Sequence, residues 1–208
     1  MIFPYKRRDH DGSINLTKYL QMKKLSLLVV LALFAITANA QEVKFPGLDK
    51  SPVDLAYFPS NATQTAKKGA EAPAVIKVTY ARPALNGREI FGNIEKFGSV
   101  YRLGANESTE IKFFKPVVVG GKSIPAGSYG LFAVPNKDKW TVIINKDTDH
   151  WGAFTYDESK DVARVDVPVK TLETPVENLA MVFTGTATDA LLNIAWGTTS
   201  VAVPIQIK

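Results

Sequence analysis

The stretch VVVGGKSIPAGSYGLFAVPNKDKWTVIIN, residues 117–145, decides the fold. Val117-Val118-Val119 and Lys122-Ser123-Ile124 flank Gly120-Gly121, and two glycines between short extended runs read as a hairpin turn. Pro125-Ala126-Gly127 is a second turn and leads into Tyr129 to Val134. Asn136-Lys137-Asp138-Lys139 is a third and leads into Trp140 to Asn145. Within these 29 residues the chain reverses three times. Short runs rich in Val, Ile and aromatics between such turns are β-strands.

The same pattern continues outward in both directions. Val75 to Ala81, Ser99 to Leu103 and Thr109 to Phe114 read as strands before the stretch. Val162 to Val167, Leu179 to Thr184, Leu191 to Ala195 and Thr199 to Ile207 read as strands after it. A helical spacing is hinted at only in Arg88 to Phe97, where Gly92 weakens it. Strands at this spacing with Gly/Pro turns predict an all-β fold. The expectation is an antiparallel β-sandwich or jelly roll over residues 74–208, with at most one short helix. It buries Val78, Tyr80, Leu131, Ile143, Val182 and Ile194. Residues 41–73 read as an irregular N-terminal segment, with Val53 to Phe58 able to pair as an edge strand.

Residues 22–40, MKKLSLLVVLALFAITANA, have the three parts of a secretory signal: two lysines, an apolar core, and Ala38-Asn39-Ala40 before Gln41. Cleavage is expected after Ala40, leaving no membrane anchor, with a periplasmic or extracellular destination. Residues 1–21 then read as a mis-assigned start or an extension of the leader. Of the 25 basic and 20 acidic residues, six and two lie before Gln41. The remaining 168 residues carry a net charge of about +1, so the concentrated basic face of a nucleic-acid binder is not expected.

The chain has no cysteine, which excludes disulfides, thiolate metal sites and a lipid-modified cysteine. His150 is the single histidine after the leader, so a multi-histidine metal centre is excluded and no cofactor is expected. No G-x-S-x-G elbow accompanies it. The distinctive residues are Arg82, Arg88, Arg102, Asn106, Glu107, Trp151 and Tyr156, which stand at strand ends and turns. Arginine offers a planar fork to anions, and Trp and Tyr offer flat faces to a sugar ring. They are expected to converge on one concave ligand-binding surface. Pairing of the arginines with Glu89, Glu107 or Glu110 is the alternative. Trp140 and Trp196 sit in strand patterns and read as core.

Three blocks carry a resemblance: Val78-Thr79-Tyr80-Ala81-Arg82-Pro83, Gly87-Arg88-Glu89-Ile90-Phe91-Gly92, and Tyr101 through Glu110. Ile124 through Phe132, Trp140 through Asn145 and Trp151 through Asp157 extend it. The ordered series is similar to the DUF2911 family over roughly residues 50–208. The resemblance implies an exported β-rich protein of a kind found chiefly in Bacteroidota, and it brings no established activity. Tyr101 stands where the family motif usually has Trp. The functional expectation is a non-enzymatic binding module for a small polar or anionic ligand, a glycan or a protein partner. The alternative is a hydrolase or lyase on cell-envelope or polysaccharide material. It would use Glu89, Glu107 or Glu110 for acid–base work, or Tyr80, Tyr101 or Tyr156.

Overall fold

A computed structural model describes residues 15–36, 43–69 and 74–208. It divides into two compact units, residues 1–47 and 48–208. In the first, helix α1 spans Leu16–Ile36 and takes in most of the apolar stretch. Among the described residues no helix is long and apolar enough to cross a membrane. The expected cleavage point after Ala40 lies outside the described residues.

The second unit is an all-β sandwich. Its elements in order are β1 (Val53–Phe58), α2 (Ala62–Lys67), β2 (Ile76–Ala81), β3 (Thr109–Phe113), β4 (Val117–Val119), β5 (Lys122–Ile124) and β6 (Gly127–Pro135). There follow β7 (Lys139–Asn145), β8 (Asp161–Pro168), β9 (Lys170–Gly185) and β10 (Asp189–Ile207). A six-stranded sheet runs β1-β2-β3-β6-β7-β8, and a four-stranded sheet runs β5-β4-β10-β9. Every pairing is antiparallel. β1 pairs with β2 in full register from Val53↔Ala81 to Phe58↔Ile76. The sandwich thus starts ahead of Ala74, where the strand density of the sequence begins.

Turn chemistry sets the local folds. Gly120 and Gly121 both have positive φ, at +56° and +75°, as a tight two-residue hairpin requires. The core lies between the sheets. Val78 and Tyr80, Ile111 and Phe113, and Leu131 and Ala133 face Leu179, Met181, Phe183, Leu192 and Ile194. Partly buried Phe91 packs edge-on against Trp140 at 4.7 Å, with Tyr101 and Trp196 each at 6.1 Å.

Three expectations are corrected, the first being Ser99 to Leu103, which is no strand: only Tyr101 makes a bridge, to Ala133. Arg88 to Phe97 is not helical; it is a run of turns and isolated bridges. Gly92 at φ +89° breaks the winding, and Ile94 and Phe97 point outward, so their spacing belongs to no single face. Val182 is 53% exposed, whereas Leu179, Met181 and Phe183 are buried. Successive strand residues alternate faces, so burying the odd-numbered residues of β9 turns Val182 to solvent.

A second, smaller core lies on the outer face of the six-stranded sheet. Phe132 and Ile143 oppose each other across β6 and β7, are fully buried, and lie outside the inter-sheet core. The segment joining β7 to β8 crosses over them. Tyr156 and His150 set their rings edge-on against Phe132 at 5.2 and 6.1 Å. Asn145 anchors this segment. Its amide donates to the Asp157 carbonyl at 3.0 Å and to Asp161 Oδ1 at 2.7 Å, and its oxygen accepts from Asp147 N–H at 2.9 Å.

Candidate functional site

The segment that crosses the sheet also builds a cleft. Glu107 and Trp151 form an antiparallel bridge. On either side, Ser108 N–H donates to the His150 carbonyl at 2.8 Å and Gly152 N–H donates to the Asn106 carbonyl at 2.9 Å. These two backbone hydrogen bonds hold the residues around Trp151, yet its side chain is 64% exposed. A large aromatic fixed at its backbone and open to water is a flat face at low conformational cost.

The cleft has two adjoining lobes that share Thr79, Glu107 and Ser108. One, of about 300 Å3, is bounded by Val53, Tyr80, Ala81, Asn106 and Trp151. The other, of about 210 Å3, is bounded by Glu110, Thr109, Thr148 and Asp149. No Lys or Arg lines either lobe. Its three carboxylates, Glu107, Glu110 and Asp149, make the cleft acidic. Glu110 accepts a hydrogen bond from Ser128 Oγ at 3.2 Å.

The backbone around the cleft is unusual. Leu103, Asn106 and Asp149 have φ of +54°, +61° and +63°. Asn and Asp tolerate this left-handed region, while a leucine there is uncommon. Leu103 is fully buried and its carbonyl accepts from Thr109 Oγ1 at 2.7 Å, which holds the conformation. Such outliers collect at functional sites, where the surrounding structure over-determines them.

Of the seven residues singled out in the sequence, three converge here: Asn106, Glu107 and Trp151. The other four do not, and the expected single cluster is corrected. Arg82 is used internally: a terminal nitrogen pairs with Asp54 at 2.7 Å and Nε donates to the Leu179 carbonyl at 2.9 Å. Arg88 lies in a separate pocket of about 290 Å3 with Trp196 and Thr199, and donates to the Leu85 and Ala84 carbonyls. Arg102 faces Glu95 at 4.0 Å. Tyr156 belongs to the crossing segment, turns its ring onto Phe132 and donates to Asp161 at 2.7 Å. Arg82 thus ties two chain segments together and Arg88 bonds its own loop. Arg102, its Nε buried without a hydrogen-bond partner among the described residues, reaches Glu95 only at 4.0 Å. Asp54 and Glu95 differ from the glutamates expected.

The tyrosines weighed for acid–base work are also spent. Tyr80 accepts from Met181 N–H at 2.9 Å across the two sheets, and burial raises its hydroxyl above the ordinary value. Burial does the same to Tyr101, which is 1% exposed and out of reach of a ligand. Burial and the neighbouring Asp161 raise Tyr156. Each stays neutral near pH 7; Tyr80 and Tyr156 are held in the hydrogen bonds given, and the buried Tyr101 hydroxyl has no hydrogen-bond partner among the described residues. Among the described residues no group of three or more His, Cys, Asp or Glu is placed to hold a metal ion.

Sequence reasoning missed Val53, Thr79, Ser108, Thr148 and Asp149. Val53 comes from the segment read as irregular, and Asp149 adjoins the singled-out Trp151 in an Asp-His-Trp-Gly run.

Fold and site together define an all-β sandwich with an acidic, tryptophan-walled cleft at the ends of β1, β2 and β3. The chain belongs to the DUF2911 family, proteins of unknown function, and matches it over residues 60–205. No curated protein and no solved structure matches the chain.

Proposed function

We propose that the chain is an exported, non-enzymatic binding module that takes an uncharged sugar unit of a glycan in the Trp151 cleft. One observation carries this reading: an exposed tryptophan, fixed by a backbone bridge, walls a cleft whose lining also holds a few polar side chains. Sugar rings bury their C–H faces on such a surface while their hydroxyls reach neighbouring polar groups. Asn106, Thr79, Ser108 and Glu107 supply those groups. The arginines that suggested an anionic ligand are engaged elsewhere, and three carboxylates in the cleft repel an anion. Export rests on the leader-like pattern of residues 22–40.

Trp151 makes the test direct. Of the three tryptophans, Trp140 and Trp196 are 1% and 5% exposed, so quenching by an aqueous solute reports Trp151. A panel of neutral oligosaccharides is titrated while fluorescence and acrylamide quenching are followed. Binding shifts the emission to the blue and protects one tryptophan, and Trp151→Ala removes both the signal and the affinity measured by calorimetry. Binding by Trp151→Ala equal to the parent's, or no response to any sugar, refutes the reading. The release of new reducing ends, lost in Glu107→Gln or Glu110→Gln, replaces the module with a glycan hydrolase acting at the same cleft.

A further inference from the structure

The two sheets are tied at one end of β2 and part at the other. At the tied end Tyr80 bonds to Met181 and Arg82 to Leu179. At the other end Phe58 of the six-stranded sheet and Phe183 of the four-stranded sheet meet at 6.0 Å with their rings tilted by 59°. Beyond them lies an open cavity of about 510 Å3. It is larger than either lobe of the Trp151 cleft and falls within the size range of small-molecule sites. Phe58 and Phe183 form its floor, and Pro59, Val75 and Ala187 line it together with the hydroxyl-bearing Ser60, Thr184 and Thr186. Lys115 is the one charged side chain among its described lining residues. Exposed Phe114 precedes Lys115 and extends the apolar surface at this end.

The cavity is preformed. The β9–β10 turn that makes one wall is fixed by Thr186 N–H donating to the Asp189 carbonyl at 2.9 Å. Thr188 Oγ1 also bonds Asp189 Oδ2 at 2.7 Å. Gly185, at φ +123°, leaves no room for a side chain, since a Cβ there would collide with the Asp189 carbonyl. On the far wall Val75 N–H donates to the Phe58 carbonyl at 2.7 Å. The cavity and the Trp151 cleft lie at opposite ends of β1, about 17 Å apart at roughly 3.4 Å per residue.

We infer that this cavity is a second binding site, for the hydrocarbon tail of a carboxylate-headed amphiphile. Ser60, Thr184 and Thr186 add hydroxyls to the lining, but its greater part is the apolar surface of Phe58, Pro59, Val75, Phe183 and Ala187. That surface accepts a hydrocarbon chain, driven by the apolar area removed from water. Lys115 at the rim forms no ion pair with any described residue, and its ammonium answers a carboxylate left in solvent while the tail is buried. The charge therefore differs at the two ends, with carboxylates in the cleft at one and a single cationic side chain in the cavity at the other.

Dodecanoate is the probe, titrated by calorimetry below its self-association threshold, with dodecanol and butyrate beside it. Dodecanoate binds saturably at one per chain, dodecanol binds more weakly, and butyrate does not bind. Lys115→Gln weakens dodecanoate about tenfold, the loss of one charge-assisted contact, and leaves dodecanol unchanged. Ala187→Trp fills the cavity and abolishes both, while its thermal unfolding shows that it is folded. Trp151→Ala binds dodecanoate as the parent does, so the outcome stands apart from the sugar reading. Dodecanoate binding that is absent, non-saturable or indifferent to both cavity variants overturns the inference. So does size-exclusion evidence that the same face joins two copies of the chain, converted to monomer by Ala187→Trp.

Discussion

Replacing Gly130 with alanine tests how the cleft is held. Gly130 lies inside β6, opposite Asn145, where the segment after β7 turns across the sheet. A Cβ at this position would stand only 2.4 Å from the Asp147 carbonyl oxygen, without a flexible side chain to yield, and 2.7 Å from the Phe132 ring. Ordinary contact begins near 3.4 Å, so the Asp147 backbone must retreat by about 1 Å. Overpacking of this kind costs about 1–3 kcal/mol. Alanine also restricts the unfolded chain, which returns about 0.4–1 kcal/mol. The net expectation is a loss of about 1–2 kcal/mol. For a domain of this size that lowers the unfolding midpoint by roughly 2–8 °C. Asp147 lies four residues before Trp151, so the displaced segment also carries the cleft wall with it. The assay is thermal unfolding beside acrylamide quenching of the exposed tryptophan. A Gly130→Ala variant as stable as the parent, with unchanged quenching, would show that the crossing segment is not braced against β6.

Two further outcomes follow from the ion pairs. Burial raises the Glu95 carboxyl above its ordinary value, with Arg102 offsetting part of the rise. Between the ordinary and the raised value the folded chain holds a proton that the unfolded chain has released, so this group's contribution is present at low pH and lost as pH rises through the raised value. Glu95→Gln removes that slope: its urea midpoint relative to the parent climbs between about pH 4 and about pH 7, and a flat or falling difference contradicts the burial argument. Arg82→Leu severs the contacts to Asp54 and Leu179 and lowers stability by about 1–3 kcal/mol in urea unfolding, with sugar-induced fluorescence intact. Loss of the sugar response without loss of stability would return Arg82 to the site.

The hairpins were legible because each is specified within a few residues. Gly120-Gly121 supplies both positive φ values by itself, and β-branched runs flank it. The error in β9 was one of phase: a hydrophobic run without polar alternation leaves its face undetermined, and Val182 and Phe183 read alike until the partner sheet chooses. Lys170 to Asn178 escaped notice as strand because it is largely exposed and holds Pro175, features of an edge strand that local pattern does not separate from a loop. The arginines were misjudged for a different reason. The residues that engage Arg82 are 28 and 97 positions away, and no local reading pairs a guanidinium with the carbonyl of a distant strand. Trp151 was legible as exposed because Asp149, His150 and Gly152 around it deny it a strand.

The Glu107–Trp151 bridge joins residues 44 positions apart, and the cleft also takes Val53 from the first strand of the sandwich. Contacts of such long sequence separation form late, once the intervening loops have been closed. No hairpin or half-sheet of this chain carries a piece of the cleft that could grip a ligand alone. On the proposed reading a ligand of the cleft engages only the assembled sandwich, so one added during refolding favours complete molecules over partial ones.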